Sequence, residues 1–161
     1  GKIIVADTGN HRLQVFDLSG NFLTYVGKAG QGDNELNFPT FLAQDSQHDL
    51  YVVDTINCRV QIFDKSFKAI GKFGNYGDAL GDFGRPKGIA IDQENRIYVV
   101  DSFFNVVTVF DKDRKPRLFF GGAKEKNTTL FSPMGIAINS KGETIIADSQ
   151  NKRIVVFRLN W

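Results

Sequence analysis

The residues able to do chemistry are few and evenly spaced. Asp7, Asp54, Asp101 and Asp148 stand 47 positions apart, and three of them are followed five residues later by Arg12, Arg59 and Arg153. Carboxylates at a constant interval could ring a symmetry axis and bind Ca²⁺. That ion wants about six to eight converging oxygens, and one carboxylate per repeated unit, set off the axis, does not converge. The pattern reads instead as a turn device, the carboxylate accepting backbone N–H bonds across a tight turn while the guanidinium braces it. His11 and His48 are the only histidines and Cys58 is the only cysteine. No internal disulfide is possible, CxxC and haem-attachment spacings are absent, and a lone thiol with no neighbouring His is not an activated nucleophile. G-x-S-x-G, phosphate-loop and Ser-His-Asp patterns are also missing. The sequence therefore predicts no catalytic residues, no metal site and no cofactor.

The elements that must position these residues follow from the same interval. Phe16, Phe63, Phe110 and Phe157 keep the step of 47, as do Gly27, Gly74 and Gly121, and Pro39, Pro86 and Pro133. Repetition at a fixed period decides a fold before any local propensity does. Each unit reads as four short strands, A to D. Strand A follows the Pro (FLAQD, GIAID, GIAIN) and B is the IYVVD-type run. C alternates as in RVQIFD, and D is LTYVG, AIGKFG or LFFG. Turn-rich peptides such as DQENR and DKSFK join them, and no 3.6-residue apolar spacing persists, so no helix is expected.

A repeated four-stranded unit of about 40 to 50 residues is a β-propeller blade. A single such sheet leaves two apolar faces wet; stacking around an axis covers both. The expected fold is all-β, with antiparallel blade units at 1–27 (strands B to D), 38–74, 85–121 and 132–161 (strands A to C), about three and a half blades in 161 residues. Small residues in strand A (Gly88, Ala90, Gly135, Ala137) suit the crowded centre.

The runs P-x-G-I-A-I-D, I-Y-V-V-D-x-x-N-x-R-V-Q-I-F-D and F-x-x-x-F-G resemble the NHL repeat, most closely at residues 85–111 and 54–64. The resemblance implies a propeller that usually closes with six blades, which would need roughly 280 residues. The chain is therefore expected to be part of a longer propeller whose open blade edges would self-associate; two chains building one ring is the alternative. The only Trp is Trp161, so WD signatures are absent. FGRPKGIAID, IYVVDSFFN and LFFGG resemble bacterial NHL propellers of the extracytoplasmic side, some found alongside multihaem cytochromes. That resemblance implies a periplasmic or cell-surface location and a protein partner of the cytochrome kind.

Other NHL propellers are zinc lyases or RNA binders, and both classes meet obstacles here. In a propeller, B–C and D–A loops share one end while A–B and C–D loops share the other. His11 and His48 then fall at opposite ends and cannot join one metal site. An active site would have to lie in blades outside this chain. The D–A segments 28–38, 75–85 and 122–132 carry net charges of −1, −1 and +1. The B–C segments 7–12, 54–59, 101–106 and 148–153 carry 0, 0, −1 and +1, leaving that end at −1. Phosphate backbones are bound by clustered Lys and Arg, so nucleic acid is not favoured. The one basic run, KDRKPR at 112–117, belongs to a C–D turn at the other end. Overall charge is +2, no run of 18 apolar residues exists, and GKIIVAD is no signal peptide, although a cleaved one could have preceded it.

What recurs in every copy serves the fold, and what departs is the candidate for function. The third copy places Phe103 and Phe104 in its B–C loop, then Asn105, with Val106 where its siblings have Arg. The rings either fold onto a neighbouring blade or form an exposed protein-contact surface. Phe41, at the strand-A position of Gly88 and Gly135, and Tyr76, in a D–A loop, would extend that surface. The expected function is a non-catalytic protein-binding or scaffolding module, with Phe103, Phe104, Phe41 and Tyr76 as its interface.

Overall fold

The computed structural model describes residues 1–122 and 128–159. Lys124, Glu125 and Lys126 of the third D–A segment, and Trp161, lie outside the described residues.

The described residues form sixteen strands and a single 3₁₀ turn at Thr8–Asn10, with no α-helix. The first sheet is β1 (Ile3–Asp7), β2 (Arg12–Phe16) and β3 (Phe22–Val26). The second is β6 (Pro39–Gln44), β7 (Leu50–Asp54), β8 (Arg59–Phe63) and β9 (Ala69–Phe73). The third is β10 (Pro86–Ile91), β11 (Ile97–Asp101), β12 (Val106–Phe110) and β13 (Pro116–Phe120). The fourth is β14 (Pro133–Ile138), β15 (Glu143–Asp148) and β16 (Arg153–Arg158). Every pairing within these sheets is antiparallel and joins sequence neighbours. A short parallel pair, β4 (Lys28–Ala29) with β5 (Glu35–Leu36), closes the first D–A loop. No described helix is long and apolar enough to cross a membrane.

The sheets stack face to face, and the alternation of side chains shows why each needs both neighbours. On β11, Ile97 and Val99 point toward the second blade, where they meet Tyr51, Val53, Val60 and Ile62. Tyr98 and Val100 point the other way and pack with Val107, Val109 and Ile146. A third core joins Leu13 of the first blade to Leu50, Val52 and Phe63 of the second. Innermost β10 lies between β6 and β14, and β1 packs against β6. At Gly88 an added Cβ would lie 2.6 Å from the Met134 carbonyl oxygen, so only glycine permits this approach of two inner strands.

Each interblade core is plugged by one residue from a D–A loop: Leu36, Phe83 and Leu130, all fully buried and again 47 apart. Each plug presses on the glycine that ends strand D. Gly27, Gly74 and Gly121 have φ of +94°, +86° and +97°, and a Cβ at Gly121 would lie 2.5 Å from Leu130 Cδ1. Conformation and space both demand glycine there.

The turns at the far end use one device. Asp45, Asp64, Asp92, Asp111 and Asn139 each accept N–H bonds from residues two and four positions on. Such Asx turns satisfy the chain locally. Asp111 also pairs with Arg117 at 2.5 Å, which engages part of the basic 112–117 run within its own turn.

Candidate functional site

The Asp and Arg of each repeat are cross-strand partners: Asp7 with Arg12, Asp54 with Arg59 and Asp148 with Arg153, while Asp101 faces Val106. In the second blade the Asp54 carboxylate is fully buried. It accepts bonds from Arg59 Nε and Asn57 Nδ2 at 2.8 Å and from the Asn37 backbone N–H at 2.5 Å. Its backbone donor comes from the D–A loop, whereas Asp101 of the third blade also takes the expected N–H bonds from its own B–C turn. The Arg59 guanidinium reaches further, donating to the carbonyls of Gln31, Gly32 and Glu35 at 2.6, 3.0 and 3.0 Å. The set therefore ties strand end, turn and D–A loop into one bracket. Asp148 repeats it with Phe131 N–H, Asn151 and Arg153, and Arg153 donates to the Thr129 carbonyl. Each of these two carboxylates accepts three bonds, from its own blade and the adjoining D–A loop. No three His, Cys, Asp or Glu side chains group as metal ligands among the described residues.

The bracket sets an acid limit on stability. Hydrogen bonds from Arg12 and Asn10 hold Asp7 below its ordinary value of 3.8. For Asp148, burial opposes ionisation, but bonds from Phe131, Asn151 and Arg153 outweigh it and the carboxyl is again lowered. Groups depressed on folding contribute stability that is complete above the unfolded value and lost as pH falls through the folded one. The urea midpoint should hold from pH 7 to about 5, then fall steeply below about 3.8. A flat midpoint between pH 4 and 2 would remove the bracket's electrostatic role.

In the third blade Asp101 lacks a guanidinium and is rescued by backbone donors. Gly84 and Arg85 N–H approach Oδ2 at 2.6 and 3.1 Å, and Phe103 and Phe104 N–H donate to Oδ1 at 2.8 and 3.0 Å. This holds the backbone beneath both rings. The rings meet edge to face, centroids 5.1 Å apart, and cover Gly84, where a Cβ would lie 2.7 Å from Phe103 and 3.0 Å from Phe104. The two part in exposure: Phe104 is half-buried and Phe103 is 63% exposed.

The other expected members are Tyr76, in the D–A loop after the second blade, and Phe41, on β6. Tyr76 is 79% exposed and lines a cleft of about 540 Å³ with Ile56, Cys58 and Arg59 in the second blade. Phe41 is 37% exposed and sits in a β-bulge where β6 shifts register between Pro39 and Leu42. Bulges re-aim side chains, and this one recurs between Pro86 and Ile89 and between Pro133 and Ile136. Ile56 occupies the same repeat position as Phe103 and is also exposed, so the siblings are not uniformly polar there.

His11 accepts the Phe38 N–H at Nδ1, 3.3 Å away, beside the start of β6; His48 lies past the end of that strand. Glycine-rich 28–35 cradles its own Glu35 carboxylate, which accepts the Gln31 and Gly32 N–H groups. Cys58 is buried; burial first, then Asp101 and Asp54, pushes its thiol up. Its reaction with a thiol reagent at pH 8 should be on the order of 100-fold slower than in the unfolded chain. Equal rates would contradict this burial.

Sheets fanned face to face with inner strands side by side define a β-propeller, and solved structures agree. Virginiamycin B lyase from Staphylococcus aureus superposes with a TM-score of 0.70 over 100% of this chain and 53% of its own, at 14% identity. Kuenenia stuttgartiensis hydrazine synthase gives 0.66 over 98% and 46%, at 16% identity. These likenesses show the fold alone, and this chain spans about half of each structure. The NHL repeat family model matches residues 1–16 and 36–63 of this chain, which agrees with the blade period. Protein brain tumor from Drosophila melanogaster is 49% identical over 41 residues, 26% of this chain and 4% of that protein.

Proposed function

We propose that this chain is a non-catalytic protein-binding module that presents its B–C/D–A end to a partner. The carrying observation is the distribution of exposed apolar side chains among the loops. Phe38, Ile56, Tyr76, Leu80, Phe103 and Phe131 crowd the end formed by B–C and D–A loops, whereas the described loops of the opposite end expose only Leu18. Exposed apolar groups gathered on one face favour protein contact, and aromatic anchors on a rigid support lose little entropy on binding. Phe103 meets both conditions, since its own N–H is bonded to buried Asp101.

The test is capture of partners by the wild-type chain and by a Phe103→Ser, Phe104→Ser double variant. Lost capture with an unchanged melting temperature is the expected result. Unchanged capture with native stability removes the proposal. The setting that accompanies this reading is an extracytoplasmic bacterial assembly with multihaem cytochrome partners. Haem absorbance in the captured material supports that setting, and haem-free capture counts against it.

A further inference from the structure

A cavity of about 300 Å³ opens beside Phe104 in the third blade, between the D–A loop 75–85 and the outer strands. Phe104, Val106 and Phe119 line it on the blade side, and Asp78, Ala79 and Asp82 on the loop side. The repeat shows what fills this space elsewhere. Counting back 47 residues, Val106 becomes Arg59 and Phe104 becomes Asn57. Asp78, Ala79 and Asp82 become Gln31, Gly32 and Glu35, the three residues whose carbonyls Arg59 holds. In the fourth blade Arg153 holds the corresponding carbonyl of Thr129 at 2.9 Å. Among the described residues nothing donates to the Asp78 or Asp82 carbonyl. The first blade supplies a second template: the Arg12 guanidinium lies 5.2 Å from the ring centroid of Tyr25, the repeat equivalent of Phe119.

We infer that this cavity receives an arginine side chain from a protein partner, taking the place that the chain's own arginine takes in the sibling blades. The guanidinium donates to the D–A loop carbonyls, as Arg59 does, and stacks on Phe119, as Arg12 does on Tyr25. Its methylene stem lies along Val106 and Phe104. Charge is complementary, since Asp78 and Asp82 stand at the loop side and no Lys or Arg lines the cavity among the described residues. A guanidinium suits this set better than an ammonium because its planar fork meets several carbonyls at once and stacks on aromatic faces. The inference deepens the protein-binding reading and rests on it.

The test uses the full chain and a small probe, so it needs no identified partner. Nα-acetyl-arginine methylamide is titrated while backbone amide signals are followed, with the uncharged citrulline analogue as control. The expected result is saturable millimolar binding with shifts at Asp78 to Asp82 and Val106, and binding of citrulline weaker by about tenfold or more. Val106→Arg should restore the sibling bracket, raise the melting temperature and abolish probe binding. Phe119→Ala, at the exposed mouth, should weaken the probe about two- to fivefold and keeps the test decisive should Val106→Arg not fold. Absent saturation, equal citrulline affinity, or wild-type affinity in either folded variant overturns the proposal. A silent probe alongside Phe103-dependent partner capture removes the pocket and leaves the surface reading standing. A saturable probe alongside Phe103-independent capture does the reverse.

Discussion

Asp54→Ala will cost the fold about 3–5 kcal/mol, the range for removing one partner of a buried ion pair. Asp54 is fully buried and the Arg59 side chain only 8% exposed, so the substitution strands a guanidinium with no water to replace the carboxylate. It also orphans the Asn37 N–H and frees one of the two Asn57 Nδ2 bonds, the other running to the Gly30 carbonyl, and so loosens the D–A loop and the B–C turn. The first blade supplies the contrast. Arg12 is 34% exposed, and Arg12→Ala should cost about 1 kcal/mol or less because solvent screens that pair. Urea unfolding of both variants gives the comparison. A cost under about 1 kcal/mol for Asp54→Ala would show that the bracket is ornamental.

Phe83→Ala should cost about 3–5 kcal/mol for a different reason, the cavity left in a packed core. The Phe83 ring is fully buried, lies 5.9 Å from Phe110 and presses on Gly74. Strand-end glycine and plug form one unit, so deleting the ring unseats the D–A loop as well as exposing apolar surface. Leu serves at the equivalent positions 36 and 130. Phe83→Leu should therefore cost about 1.5 kcal/mol or less. Thermal and urea unfolding of the two variants decide it, and equal losses would argue against the plug.

The blades were legible in the sequence because one period governed Asp, Phe, Gly and Pro together, and four-stranded antiparallel sheets follow from that spacing. The bracket was half legible. Asp and Arg five apart are cross-strand partners, but the D–A loop donor to Asp54 is 17 residues away and leaves no local mark. The plugs Leu36, Phe83 and Leu130 share the period, yet they lie in loops that otherwise look polar, which masks their core role in the sequence. The parting of Phe103 from Phe104 could not be read, because both rings sit in one turn. Both share Gly84 and the backbone bonds to Asp101, but only Phe104 lies beside the D–A loop 78–82, Val106 and Phe119. Val106 in place of arginine is legible in the sequence, but the cavity it leaves depends on loop carbonyls brought together in three dimensions.

In the proposed function, recurring residues build the scaffold while the third blade's departures recognise the partner. The most direct measurement is partner affinity for Phe103→Ser set beside Leu23→Ser. Leu23 is an exposed apolar residue on outer strand β3, remote from the B–C/D–A loops. A binding hot spot contributes about 2–4 kcal/mol, so Phe103→Ser should weaken the complex about 30-fold or more. Leu23→Ser should leave the affinity unchanged, and both variants should keep the wild-type melting temperature. Equal affinities for the two variants, with both folded, would contradict the account.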